Sequence, residues 1–142
     1  MTTRIDALQQ TLAAEHAALF VLAALGGRAS TLSSSPMRTG LDTAYSQHME
    51  RRDQLRRMIT ADGSDPVAAE PAYRLPTPLT TGAQIAAEAL RVERACTTTY
   101  AALVSATVGV ERRWAIDALV TTAVGEAAFG GRPEALPGLA TT

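Results

Sequence analysis

The sequence has no lysine and no asparagine, one cysteine, two histidines and few aromatic residues, 4% in all. A single cysteine excludes a disulfide framework and a zinc site built on thiolates. Arginine carries all the basic charge, and thirteen basic residues against fourteen acidic ones leave a net charge of −1. The chain therefore has neither the basic footprint of a nucleic-acid binder nor an acidic tail. A long apolar run is also missing: Ala17 to Gly27 falls short of the about 20 residues that a bilayer-spanning helix needs. Asp6, Glu15 and His16 interrupt the order of a secretory leader. These absences lead us to expect a cytoplasmic protein with no nucleic-acid and no membrane partner. What is present is 142 residues, 46% of them hydrophobic, enough for one domain that buries its core without metal or disulfide support. The all-arginine, alanine-rich usage points to a GC-rich bacterial genome.

Four stretches carry helical periodicity and none alternates as a strand does, so the class is all-α. The first runs from Thr3, an N-cap, to Gly26-Gly27, read as a left-handed stop, with the seam Ile5, Leu8, Leu12, Glu15, Leu19 and Leu22. The second runs from near Pro36 to Asp62-Gly63, with the seam Leu41, Ala44 or Tyr45, His48, Arg51 or Arg52, Leu55, and Met58 or Ile59. The third opens on Thr81 with Gln84 three residues later, a capping box, and continues through Leu90, Glu93, Thr97, Tyr100 and Val104. The fourth, from about Val110 to Phe129, places Val110, Trp114, Asp117, Thr121 and Val124 on one side before Gly130-Gly131.

Gly63 to Thr80 holds four prolines and no periodicity. Antiparallel neighbours need only about 2–8 linking residues. Eighteen can extend about 60 Å, enough to run back along a helix of roughly 35 Å. The spacing thus predicts a four-helix bundle with one long crossover between helices 2 and 3 over residues 1–130, and a loose tail over 131–142.

Three seams carry an ionisable residue at mid-length, where packing would favour leucine: Glu15, His48 and Glu93. Antiparallel helices with matched centres bring these to one level, where an unpaired carboxylate would cost several kcal/mol. Helix 4 offers Asp117 at a similar height. Carboxylates and an imidazole facing inward from a bundle are the chemistry of a hard transition-metal site, iron or manganese. Arg51 and Arg52, three and four residues after His48, offer another neutraliser, because guanidinium binds carboxylates and cannot ligate a metal.

The segments Leu12-Ala-Ala-Glu-His-Ala-Ala18, His48-Met-Glu-Arg-Arg-Asp53 and Ala72-Tyr-Arg-Leu-Pro76, with Glu93 followed by Tyr100, together resemble an actinobacterial ferritin-like domain family of unknown function, over about Leu8 to Val124. The resemblance implies a ferritin-like bundle and says little about activity. Metal-binding members of the wider fold place one Glu on each of helices 1 and 3 and Glu-x-x-His on helices 2 and 4. Glu15, Glu93 and His48 match that pattern. Tyr45 stands where the helix 2 glutamate belongs, helix 4 has no histidine, and Val120 occupies its place if Asp117 is the carboxylate.

The reading is therefore a non-catalytic binding or structural bundle without a cofactor, in which Tyr45, Arg51 and Arg52 join Glu15, His48 and Glu93 in a polar network. The alternative is an iron or manganese protein with oxygen or peroxide chemistry, ligated by Glu15, His48, Glu93 and Asp117. A third is a small-molecule binder using a cavity near the seam, where alanine and threonine are common. His16 points to a neighbouring element or solvent, Cys96 reads as a small buried hydrophobe, and Tyr100 and Trp114 read as core. Asp53 is placed to pair with Arg57. From Ala17 to Leu25 helix 1 is apolar all round, so either the crossover or a second copy covers it, and we expect a homodimer.

Overall fold

The computed structural model describes residues 1–32, 34–76 and 78–140. Among these there are four α-helices and no strand: α1 (Arg4–Leu32), α2 (Ser35–Ala61), α3 (Gly82–Ala106) and α4 (Gly109–Gly125), followed by a 3-10 turn over Glu126–Phe129. The all-α four-helix bundle expected from periodicity is the observed one.

Helix ends follow their local chemistry. The Ser34 hydroxyl accepts from the Met37 amide at the start of α2. Thr81 and Gln84 form the capping box of α3, each side chain accepting from the other's backbone N–H. Gly63 and Gly130 take positive φ just past α2 and the 3-10 turn. Gly26 and Gly27 do not stop α1, which continues to Leu32. Leu25 and Ala29 lie in the core on either side of the pair, and their burial outweighs a propensity cost of about 1 kcal/mol per glycine.

α1 is the central element, packed on α2 and on α3, while α4 packs on α3 and meets α2 only slightly. Arg4 ties three helix ends together: its Nε and Nη2 donate to Glu111 at 2.7 and 2.6 Å, and Nη1 donates to Asp62 at 2.8 Å. Over Arg4–Ser30, α1 is long and apolar enough to cross a membrane by length and composition. Its seam is taken up by the bundle, with Leu8, Leu12, Leu22 and Leu25 fully buried.

The segment between α2 and α3 runs back along α1. Gln9 Nε2 donates to the Asp65 carbonyl at 2.7 Å and its Oε1 accepts from the Val67 amide at 2.8 Å. His16 Nε2 lies 3.0 Å from the Val67 carbonyl, to which it donates. Further on, Tyr73 packs its ring 5.4 Å from Phe20, and Leu75 joins the core. The crossover thus covers part of the apolar stretch of α1, at Phe20, while Phe20 itself and Ala23 remain exposed.

α4 departs from expectation. Its buried residues are Ala115, Ala118 and Thr122, whereas Val110 and Val124 are exposed and Asp117 is an exposed residue at the cleft between α2 and α4. Apolar and polar residues are spread over all sides of the helix, so periodicity does not choose its inner face; small residues do, because they let α4 lie close to α3. The final segment turns back onto α3. Gly138 has φ +77°, and a Cβ there would lie 2.3 Å from the Thr97 carbonyl oxygen, so only glycine fits.

Candidate functional site

Glu15 from α1, His48 from α2 and Glu93 from α3 meet at mid-bundle, all buried. The antiparallel packing of α1 against the other two brings their centres level, and each of the three sits on a seam between leucines or other core residues. His48 is the junction. Its Nδ1 donates to Glu15 Oε2 at 2.5 Å and its Nε2 donates to Glu93 Oε1 at 3.0 Å. Two carboxylates, one at each ring nitrogen, require both nitrogens to carry protons. Burial alone would discharge the ring, but the charge and hydrogen bond of Glu15, with the weaker pull of Glu93, raise its pKa to about 9.

Tyr100 completes the arrangement by donating its hydroxyl to Glu15 Oε1 in a short hydrogen bond. Burial, and then the Glu15 charge, push the phenol well above its ordinary pKa, so it stays a donor. Arg51 lies with its guanidinium carbon 5.6 Å from the centre of the Tyr100 ring, and its Nη1 donates to Thr122 Oγ1 on α4 at 2.8 Å. Trp114 meets the same ring edge-on at 5.9 Å. Protonated His48 and Arg51 thus balance Glu15 and Glu93.

Of the two candidate arginines, the structure buries Arg51 and leaves Arg52 half-buried, where it pairs with Asp53 at 2.9 Å. Asp53 is therefore not the partner of Arg57, which donates to Gln54. Arg51 forms no ion pair with either glutamate among the described residues; their direct partner is the imidazole. Tyr45 is half-buried against the apolar core and makes no hydrogen bond in the cluster. Asp117 stands outside the cluster, displaced by the turn of α4 about its axis.

Sequence reasoning placed Tyr100 only as core filling. The available signal was its position seven residues after Glu93, two helical turns along one face, since a buried tyrosine hydroxyl needs a partner. Thr122 was missed for the reason that Asp117 was chosen, the face of α4.

Glu15, His48 and Glu93 do not converge on one point. The glutamates stand at opposite nitrogens of one ring, whose lone pairs diverge, so a single ion can reach only one of the two nitrogens. The set that does converge is Glu15, His48 and Cys96, whose ligand atoms all lie within 4.8 Å of one another. Burial, and then the neighbouring glutamates, hold the Cys96 thiol well above its ordinary pKa and so protonated, not as the thiolate that ligates metals.

A crystal structure of a conserved hypothetical protein from Mycobacterium tuberculosis, rv2844, is similar to this chain with a TM-score of 0.78 and 30% identity, over 87% of this chain and 92% of that one. No curated protein matches. The model of the family described as a domain of unknown function, DUF4439, matches residues 7–141, which takes in all four helices, the crossover and the returning C-terminal segment. The chain belongs to that family.

Proposed function

We propose that this protein is a non-catalytic, metal-free bundle of the ferritin-like kind, acting as a binding or structural protein. In it, a proton-bearing network stands where a metal centre would be. The observation that carries the reading is His48 held at both ring nitrogens by Glu15 and Glu93. An imidazolium between two carboxylates supplies the positive charge that an iron or manganese ion would otherwise bring, and Arg51 supplies the remainder. Helix topology supports the kinship: α1 antiparallel to both α2 and α3, with the long link running back along α1.

One observation favours a second reading, a single bound metal. Glu15, His48 and Cys96 converge closely enough to share an ion. That set exchanges the hard carboxylate of Glu93 for a soft sulfur, which suits zinc better than manganese, and it requires the Cys96 proton to leave a fully buried site.

Elemental analysis separates the two. Untagged protein from cells supplied with iron, manganese and zinc is measured beside a His48→Ala variant. The metal-free reading expects far less than one metal per chain in both. Near-stoichiometric metal in the wild type that disappears in the variant would overturn it.

A further inference from the structure

Where α4 leans away from α2, a cleft opens along the bundle. One part, of about 630 Å³, is lined by Arg51, Arg57 and Trp114 with the carboxylates of the exposed Glu50 and Asp117 and the half-buried Asp53 at its rim, and the other, of about 390 Å³, reaches Glu93 and Gly125. The two share Gln47 and Thr121 as walls, so they are parts of one groove. Each part alone falls in the range of small-molecule sites, about 300–1,000 Å³.

Two buried charges face this groove with unused hydrogen-bonding capacity. Arg51 is 8% exposed and makes one hydrogen bond among the described residues, to Thr122, out of the five N–H donors of a guanidinium. Glu93 is 2% exposed, and Oε1 accepts a hydrogen bond from His48 Nε2 while Oε2 has no hydrogen-bond partner among the described residues. Oε2 faces the groove at Gly125, where an added Cβ would sit 3.8 Å from it. Arg51 and Glu93 do not pair with each other, although burial makes unpaired charge expensive. Their contacts on α4, Thr122 and Gly125, are three residues apart, a rise of about 4.5 Å. A short molecule bearing an anion at one end and a cation at the other would answer both charges.

We propose that the α2–α4 cleft binds a small zwitterion, an amino acid or a close amino-carboxylate. Its carboxylate would lie on the Arg51 guanidinium and its ammonium on Glu93 Oε2. The proposal rests on the metal-free reading above, since it needs Glu93 as a carboxylate open to the cleft. Trp114, the chain's one tryptophan, lines the Arg51 end and reports occupancy through its emission.

The test is a titration of the full chain with the proteinogenic amino acids and γ-aminobutyrate, followed by Trp114 fluorescence and calorimetry. Butyrate and butylamine, each keeping one charge of γ-aminobutyrate, are the controls. A saturable response to at least one zwitterion is expected, with γ-aminobutyrate binding more tightly than either control. Gly125→Val, which shields Glu93 Oε2 without altering it, and Arg51→Met, which removes the donors, should each weaken that response roughly tenfold to a hundredfold, the loss of one charged hydrogen bond. Circular dichroism on each variant confirms the fold, and Gly125→Val keeps the test decisive if Arg51→Met does not fold. The proposal is overturned if no zwitterion saturates, if either control matches γ-aminobutyrate, or if a folded Gly125→Val variant binds as the wild type does. Metal analysis of the same preparation distinguishes the failures. Stoichiometric metal would sink the metal-free reading, whereas a metal-free chain that binds no zwitterion would sink this inference alone.

Discussion

Between α1, α2 and α3 the polar groups are tightly matched: Glu15 accepts from His48 and Tyr100, and both nitrogens of His48 are engaged. Along the α2–α4 side the matching is loose: among the described residues Arg51 uses one donor and Glu93 presents a free oxygen, and the helices barely touch. Both sides belong to one cluster, so the difference lies in packing rather than in residue type. Where three helices close on a charged group, each charge must be answered within the chain. Where the fourth leans away, part of the answer is left to solvent or a ligand. The tight side thus sets stability, and the loose side is where binding can occur without disturbing it.

The sharpest way to break this comparison is to remove the hub of the tight side. His48→Ala leaves Glu15 and Glu93 buried without their common partner, which should destabilise the protein by about 3–5 kcal/mol, measured by urea unfolding near neutral pH. A loss below about 1 kcal/mol would mean that water or Arg51 takes over, and that the two sides are not distinct.

A smaller effect on the same hub comes from pH. The folded pKa of His48, about 9, lies above the ordinary histidine value of 6.5, so the folded state holds this proton more tightly than the unfolded chain. The stabilisation is fully present below pH 6.5 and is lost as pH rises through about 9. The span corresponds to about 3 kcal/mol, since one pKa unit is worth about 1.4 kcal/mol. Urea midpoints taken at pH 6 and pH 9.5 should therefore fall, and in His48→Ala this component of the fall should vanish. An unchanged midpoint in the wild type would show that the imidazole is not held charged between the carboxylates.

How much of this was readable beforehand follows the same division. On α1, α2 and α3 a single ionisable residue interrupts each apolar seam at mid-length, and that spacing put Glu15, His48 and Glu93 at one level. Two choices on α2 stayed open in the sequence. Ala44 against Tyr45, and Arg51 against Arg52, differ by one residue, within the angular width of the buried stripe; continuity through His48 and Leu55 selects the inner member of each pair. The end of α1 was misread because Gly26-Gly27 carries a stop signal that Leu25 and Ala29 override by burial. α4 was misread because its valines and Ile116 lie exposed while the small Ala115, Ala118 and Thr122 take the fully buried positions. Asp117 was chosen, and Thr122 passed over, for that reason alone.

The outside of α4 also gives the finest discrimination. Ile116, Val120 and Val124 follow one another at four-residue steps along α4, with Val120 53% and Val124 70% accessible and Val124 at the edge of the α2–α4 cleft. If the chain's own packing is the whole of its stability, Val120→Thr and Val124→Thr each change it by less than about 0.5 kcal/mol. On the inner face, Ala118→Leu should cost about 1–3 kcal/mol by forcing α4 off α3. Sedimentation on the same variants carries the argument further. A threonine substitution that costs as much as the inner one, and halves the mass in solution, would place a second copy of the chain on this stripe. The homodimer expected from the apolar stretch of α1 would then be formed through α4 instead. Unchanged stability and unchanged mass would leave the valines as solvent-facing residues, and the small inner residues of α4 as the reason the helix stays where it is.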